Sequence, residues 1–170
     1  SDYVLKDISF QIVPGQSVAL VGVTGSGKTS IASVLTRLYE IQKGTIWLDD
    51  VDIRKIEKIG LRYVIGLVSQ DIFLFAGTLR DNITLFNPMS DSKVLGIIEE
   101  LGLMPFIDRM PGGLGMQIVE RGANLSVGER QFISLSRIIL YDPRVIILDE
   151  ATSSMDPISE VLIQNAIQKA

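Results

Sequence analysis

The segment Gly22-Val23-Thr24-Gly25-Ser26-Gly27-Lys28-Thr29 restricts the fold of this chain more than any other feature. It satisfies the pattern G-x-x-x-x-G-K-[ST] in full. The apolar run Ser17–Val21 leads into it and reads as a buried strand. After it, Ile31, Val34, Leu35 and Leu38 fall at i, i+3, i+4 and i+7, one face of a helix. Glycines at these positions let backbone N–H groups curl around an anion. A helix starting near Gly27 points its positive dipole end at the same place. Lys28 adds a mobile charge for the outer phosphates of a nucleotide, and the Thr29 hydroxyl suits Mg²⁺. The segment Gly22 to Ser30 is therefore the expected phosphate cradle. The plainer reading is a glycine turn that only joins strand to helix. The flanking strand and helix patterns favour the cradle.

The rest of the chain reads as one α/β domain. Its 170 residues suffice for one well-cored domain and are short for two. Val4–Val13 alternates like a strand, and Pro14-Gly15 ends it as a turn. Gly44–Asp49 and Tyr63–Ser69 are two further expected strands. From about Gly77 to Tyr141 the pattern is helical, clearest over Asp91–Leu101 and Ser126–Tyr141, with a turn at Pro111–Gly115. Val145–Leu148 reads as another buried strand, and Pro157–Lys169 as a closing helix with Val161, Leu162, Asn165 and Ala166 at helical spacing. Strand, loop and helix early, with a buried strand much later, indicate a parallel sheet carrying an inserted helical subdomain at about 77–141.

Composition removes several function classes. The chain has no His and no Cys, so a His-based zinc site, a Ser-His-Asp triad, a thiolate metal site and a disulfide are all excluded within it. A net charge of −4 argues against a nucleic-acid partner. The longest apolar runs are far shorter than the roughly 20 residues of a membrane-spanning helix. The first residues do not resemble a signal peptide, and the chain does not begin with Met, so it reads as excised from something larger.

Two further segments carry chemistry. Arg144–Glu150 (RVIILDE) sends Asp149 and Glu150 to the end of an apolar strand, where ligands lie in open α/β sheets. Alternation along a strand aims the two acids differently. Asp149 is the expected Mg²⁺ group, and Glu150 the base or orienter of an attacking water. The bland alternative is a pair of solvated acids. The second segment is Leu125-Ser126-Val127-Gly128-Glu129-Arg130-Gln131, ahead of a long amphipathic helix. Ser126 and Glu129 make a capping box on sequence grounds alone, which leaves open whether the segment does anything else.

The order of these motifs resembles the ATP-binding-cassette (ABC) ATPase domain: phosphate loop, Gln70 after a strand, an LSGGQ-like segment, a strand ending in Asp-Glu, then Ser153-Ser154-Met155-Asp156. The likeness covers nearly the whole chain. Gly77–Ile83 and Glu120-Arg121-Gly122 are similar to the exporter branch, of the multidrug and lipid-exporter type. The resemblance implies an α/β P-loop NTPase (RecA-like) core with mixed and parallel strands, an N-terminal antiparallel β subdomain and the inserted helical subdomain. It implies ATP and Mg²⁺ as ligands, with Thr29, Gln70 and Asp149 at the metal and Lys28, Gln70 and Glu150 in catalysis. Ser126, Val127, Gly128 and Glu129 would face ATP bound to a second, head-to-tail cassette. Asp156 would lie at that dimer interface, although Asp156-Pro157 is also a standard helix start with the acid as N-cap. Gln70 is also compatible with a plain strand end. Ile72–Phe75 reads as core, yet in this family the stretch lies near the groove that receives the transporter's coupling helices.

Three departures from the family pattern matter. Val127 replaces a glycine. Glu129 replaces a glutamine and puts a carboxylate near the expected γ-phosphate, which weakens that contact unless Arg130 or another cation offsets it. The family's switch histidine would fall about ten residues beyond Ala170, so truncation accounts for its absence. Tyr3 is the one aromatic near the start, with strand packing favoured over adenine stacking. The expected role is the ATP-driven motor of an exporter at the cytoplasmic face of a membrane, engaging transmembrane domains through coupling helices. The rivals are a soluble ABC ATPase acting on ribosomes or DNA, and a regulatory module that binds ATP without hydrolysing it. Residues 1–170 alone are expected to bind nucleotide weakly and to hydrolyse very little.

Overall fold

The computed structural model describes residues 3–69, 71–149 and 157–169. It divides into two compact units, Ser1–Ile65 and Gly66–Ala170.

In the first unit, described residues before Lys28 form no helix or strand. This corrects the expectation of strands at Val4–Val13 and Ser17–Val21. Both runs stand exposed, Val18 and Leu20 included. A strand is stable only as part of a ladder, and neither run has a ladder partner among the described residues. The turn at Pro14-Gly15 does form, closed by Gln16 N–H donating to Val13 O at 3.0 Å. Helix α1 spans Lys28–Leu35 and buries Ala32 and Ser33. Leu38 lies beyond it and is exposed. The helix stops where Thr36 Oγ1 donates back to Ala32 O at 2.9 Å, a hydroxyl competing with the backbone for the same carbonyl. Strands β1 (Trp47–Leu48) and β2 (Val51–Asp52) pair antiparallel, with Trp47 opposite Asp52. Asp52 then caps a 3-10 turn, Ile53–Lys55, by accepting from Arg54 N–H at 2.9 Å. Arg37 ties the unit together by donating through one nitrogen to Ile53 O (2.9 Å) and Ile56 O (2.7 Å). Helix α2 (Lys58–Val64) takes in Tyr63 and Val64, so the expected strand there begins later, as β3 at Ile65–Val68.

The second unit is a packed, mainly helical body. β3 lies beside β6 (Val145–Leu148). β4 (Gly77–Thr78) and β5 (Gln117–Ile118) pair antiparallel, so the parallel component of this mixed fold is β3–β6. Helices α3 (Leu79–Thr84), α4 (Asp91–Glu100), α5 (Met104–Arg109), α6 (Val127–Leu140) and α7 (Pro157–Lys169) complete it. The core centres on α6, where Phe132, Ile133 and Leu135 are buried. The Phe132 ring stacks on Phe106 of α5, centroids 5.0 Å apart. Burying each such ring contributes roughly 1.5–3 kcal/mol. Gly66 on β3 permits close approach: a Cβ there would sit 2.4 Å from Ile138 Cγ2 of α6. β6 is less buried than its sequence suggests, with Val145 and Leu148 exposed. It has one strand neighbour among the described residues, and a strand paired on one side keeps an open edge.

Candidate functional site

The phosphate loop is assembled as its sequence requires. Ser26 N–H donates to Val23 O at 3.1 Å, closing a turn, and Ile31 N–H donates to Gly27 O at 3.0 Å, opening α1. Gly25 and Gly27 adopt φ of +83° and +97°, a region that side-chain-bearing residues rarely enter. A Cβ on Gly22 would lie 2.5 Å from Ser26 Oγ, so a side chain there would have to turn the Ser26 hydroxyl aside. Lys28 Nζ folds over the loop and donates to Gly22 O (2.8 Å) and Val23 O (3.1 Å). A cation is thus held across a solvent-exposed glycine turn, at the N-terminus of a helix. This donor set fits a polyphosphate. Thr29 is the next residue of α1; its carbonyl accepts from Ser33 Oγ at 2.8 Å, and the residue is exposed. Tyr3 does not pack on a strand. The Lys43 ammonium sits 5.3 Å from its ring centroid instead, a cation–π contact that the sequence did not signal.

The signature segment is a complete capping box. Ser126 Oγ accepts from Glu129 N–H at 3.2 Å, and Glu129 Oε2 accepts from Ser126 N–H at 2.7 Å. Ser126 is exposed, while Gly128 is buried in the first turn of α6. Arg130 turns to the backbone, donating through Nη1 to Leu125 O at 2.8 Å. Among the described residues no ion pair joins Arg130 to Glu129; the partner of the Glu129 carboxylate is its own helix end.

Asp149 sits half-buried just after β6, its N–H donating to Val68 O of β3 at 2.9 Å. Gln70, Glu150 and Asp156 lie outside the described residues. No cluster of three or more acidic residues that could hold a metal occurs among the described residues. The oxygen donors Thr29 and Asp149 nevertheless have the hard chemistry that Mg²⁺ prefers. Among the described residues, no helix is long and apolar enough to cross a membrane.

Sequence reasoning missed Asn82 and Arg137. Asn82 of α3 is fully buried. Arg137 of α6 reaches Asn82 O at 2.6 Å and Phe73 O at 2.7 Å. The one available signal was a lone arginine within the mostly apolar stretch Leu135–Leu140.

Comparison with known proteins places the chain in one family. The family model described as ABC transporter matches residues 5–153. The probable multidrug resistance ABC transporter ATP-binding/permease protein YheH of Bacillus subtilis is 41% identical over 165 residues, covering 96% of this chain and 24% of that protein. The ATP-dependent lipid A-core flippase of Pseudoalteromonas atlantica is 43% identical over 166 residues, covering 96% and 28%. A solved structure of a bacterial Atm1-family ABC exporter with ATP bound superposes with a TM-score of 0.78 at 33% identity, covering 86% of this chain and 26% of that one. The chain therefore spans about a quarter of the length of the relatives it matches. A glycine cradle closed by Lys28, a capped signature helix and an acid-ended strand all fall within the matched residues, and the chain belongs to the ABC transporter family.

Proposed function

We propose that this chain is the ATP-binding and ATP-hydrolysing motor domain of an exporter, working as one of two head-to-tail cassettes at the cytoplasmic face of a membrane. The observation that carries the reading is Lys28 held over the Gly22–Gly27 turn at the start of α1. An incoming polyphosphate offers that ammonium anionic oxygens in place of two neutral backbone carbonyls, adding the attraction of opposite charges to the hydrogen bonds.

In this reading Thr29, Gln70 and Asp149 hold Mg²⁺, which when bound offsets the charge of the β- and γ-phosphates. Glu150 holds the attacking water and takes its proton, and Gln70 orients the same water. Ser126, Val127, Gly128 and Glu129 face ATP on the opposed cassette, and Asp156 lies at the seam between the two. ATP favours the closed pair because it binds that state better than the open one. Loss of the γ-phosphate removes the bridge. Transmembrane domains engaged through coupling helices turn closure into transport. The named relatives are transporters, and a net charge of −4 does not suit a nucleic-acid surface, so a soluble cassette acting on ribosomes or DNA is not favoured.

Glu150→Gln in the full-length protein tests the mechanism. Turnover should fall by on the order of 10²–10⁴-fold while MgATP binding persists and the paired cassettes accumulate. Near-normal turnover would overturn the assignment of Glu150.

A further inference from the structure

Residues 73–75 are irregular backbone between β3 and β4. Such loops usually leave their carbonyls to water. Here three consecutive carbonyls each go to a different element. Phe73 O accepts from Arg137 Nη1 of α6 at 2.7 Å. Leu74 O accepts from Arg121 N–H, in the turn just ahead of the signature segment, at 3.1 Å. Phe75 O accepts from Asn82 Nδ2 of α3 at 2.9 Å, and Phe75 N–H donates to Asn82 Oδ1 at 2.9 Å. The Asn82 amide therefore holds one residue as a paired strand would.

The two clamps are themselves joined. Arg137 donates through Nε to Asn82 O at 2.6 Å and through Nη2 to Asn82 Oδ1 at 3.0 Å. Its partners are neutral oxygens, and no carboxylate pairs with it among the described residues. Burial lowers its pKa to about 10, so it remains a cation at neutral pH. The guanidinium spreads its donors over a planar fork and so reaches three oxygens on two elements through three nitrogens, whereas a lysine would have to serve them from one.

What these bonds hold in place is an exposed aromatic surface. Phe73 and Phe75 are exposed, with ring centroids 5.0 Å apart edge to face, and Phe86 joins them 5.8 Å from Phe75. Leu85 and Phe86 both have positive φ, +50° and +62°, a costly conformation for bulky residues. The backbone is strained where it presents Phe86 to solvent.

We propose that Arg137 and Asn82 are positioning residues that lock the Phe73–Phe75 loop to α6, so that an ATP-driven displacement of the signature helix carries the exposed aromatic surface with it. This rests on the motor reading above and adds two residues that tie the signature helix to that aromatic surface. The physical requirement for such a route is an element that both ends bias, and the Arg137–Asn82 junction is bonded to both.

The test uses the full-length protein with a spin label at Ala76→Cys, an exposed position next to Phe75. MgATP is the probe. The label's spectrum is expected to change on MgATP addition. Arg137→Lys and Asn82→Ala should each abolish that change while the dissociation constant for MgATP stays within about two-fold of the parent. A merely stabilising network would instead lower nucleotide affinity and melting temperature together. If Arg137→Lys does not fold, Asn82→Ala, which removes both amide bonds to Phe75, carries the test. A full spectral response in either folded variant overturns the proposal, and so does failure of both to fold, which would make the network a stabilising element only. Parent protein that hydrolyses MgATP with a silent label overturns this inference alone. Parent protein that neither binds nor hydrolyses MgATP overturns the motor reading itself.

Discussion

The two units solve opposite problems. Residues 66–170 enclose a continuous apolar core running from Val68 to Ala166, with Phe106 and Phe132 at its centre. The first unit buries few large side chains, chiefly Ile53 and Leu61, and is held instead by polar ties such as Arg37 to Ile53 O and Ile56 O. Its phosphate loop stands in solvent. Ligand-gripping segments come from the low-stability end of a fold, because they must yield to what they bind. The helical unit is densely packed instead, and such packing makes a body stiff.

The contrast is easiest to break in the core. Phe132→Ala should cost about 3–5 kcal/mol and abolish slow amide exchange across α6. Val18→Ala in the first unit should change stability by no more than about 0.5 kcal/mol. Equal effects in denaturant unfolding of the full-length protein would remove the distinction. Gly66→Ala is a finer probe. Its Cβ would overlap Ile138, 2.4 Å away, so a loss of roughly 1–3 kcal/mol is expected. A neutral result would show that β3 and α6 can separate freely.

The smallest effect lies in the first unit. The Arg54 guanidinium, and after it the Arg54 N–H, lower the Asp52 pKa from 3.8 to about 2. A carboxylate whose folded pKa is depressed adds stability above its unfolded value, and that stability is lost as pH falls through the folded value. The contribution is therefore complete above about pH 4 and fades towards pH 2. Asp52→Asn should lower stability slightly at neutral pH, where the contribution is complete, and leave it unchanged near pH 2, so that the acid limb flattens in that window. An unchanged acid limb would show that the Asp52–Arg54 pair contributes nothing.

How far the chain could be read depended on the range of the interactions. Helix α6 and its Ser126–Glu129 cap were legible because both follow from residues a few positions apart. The loop from Gly22 to Thr29 was legible because its backbone demands glycine. The strands expected at Val4–Val13 and Ser17–Val21 were not, because alternation says nothing about whether a partner strand is present. For the same reason Val145–Leu148 was read as buried: its residues are apolar, but exposure depends on how many neighbours flank it. Arg137 was invisible because its acceptors lie 55 and 64 residues away in sequence.

The cap at Ser126 has one further consequence. Helix α6 already carries an internal anion, because the Glu129 carboxylate occupies the N–H of Ser126. In the proposed contact with the opposed cassette's ATP, a phosphate arriving at that end would not fill a vacant site. It would displace a tethered competitor whose local concentration is set by a side chain three residues away, not by the solution. Binding there is an exchange of one anion for another, and its strength is a difference between the two. In the proposed contact the same glutamate that caps the helix would also set how strongly its end takes a phosphate.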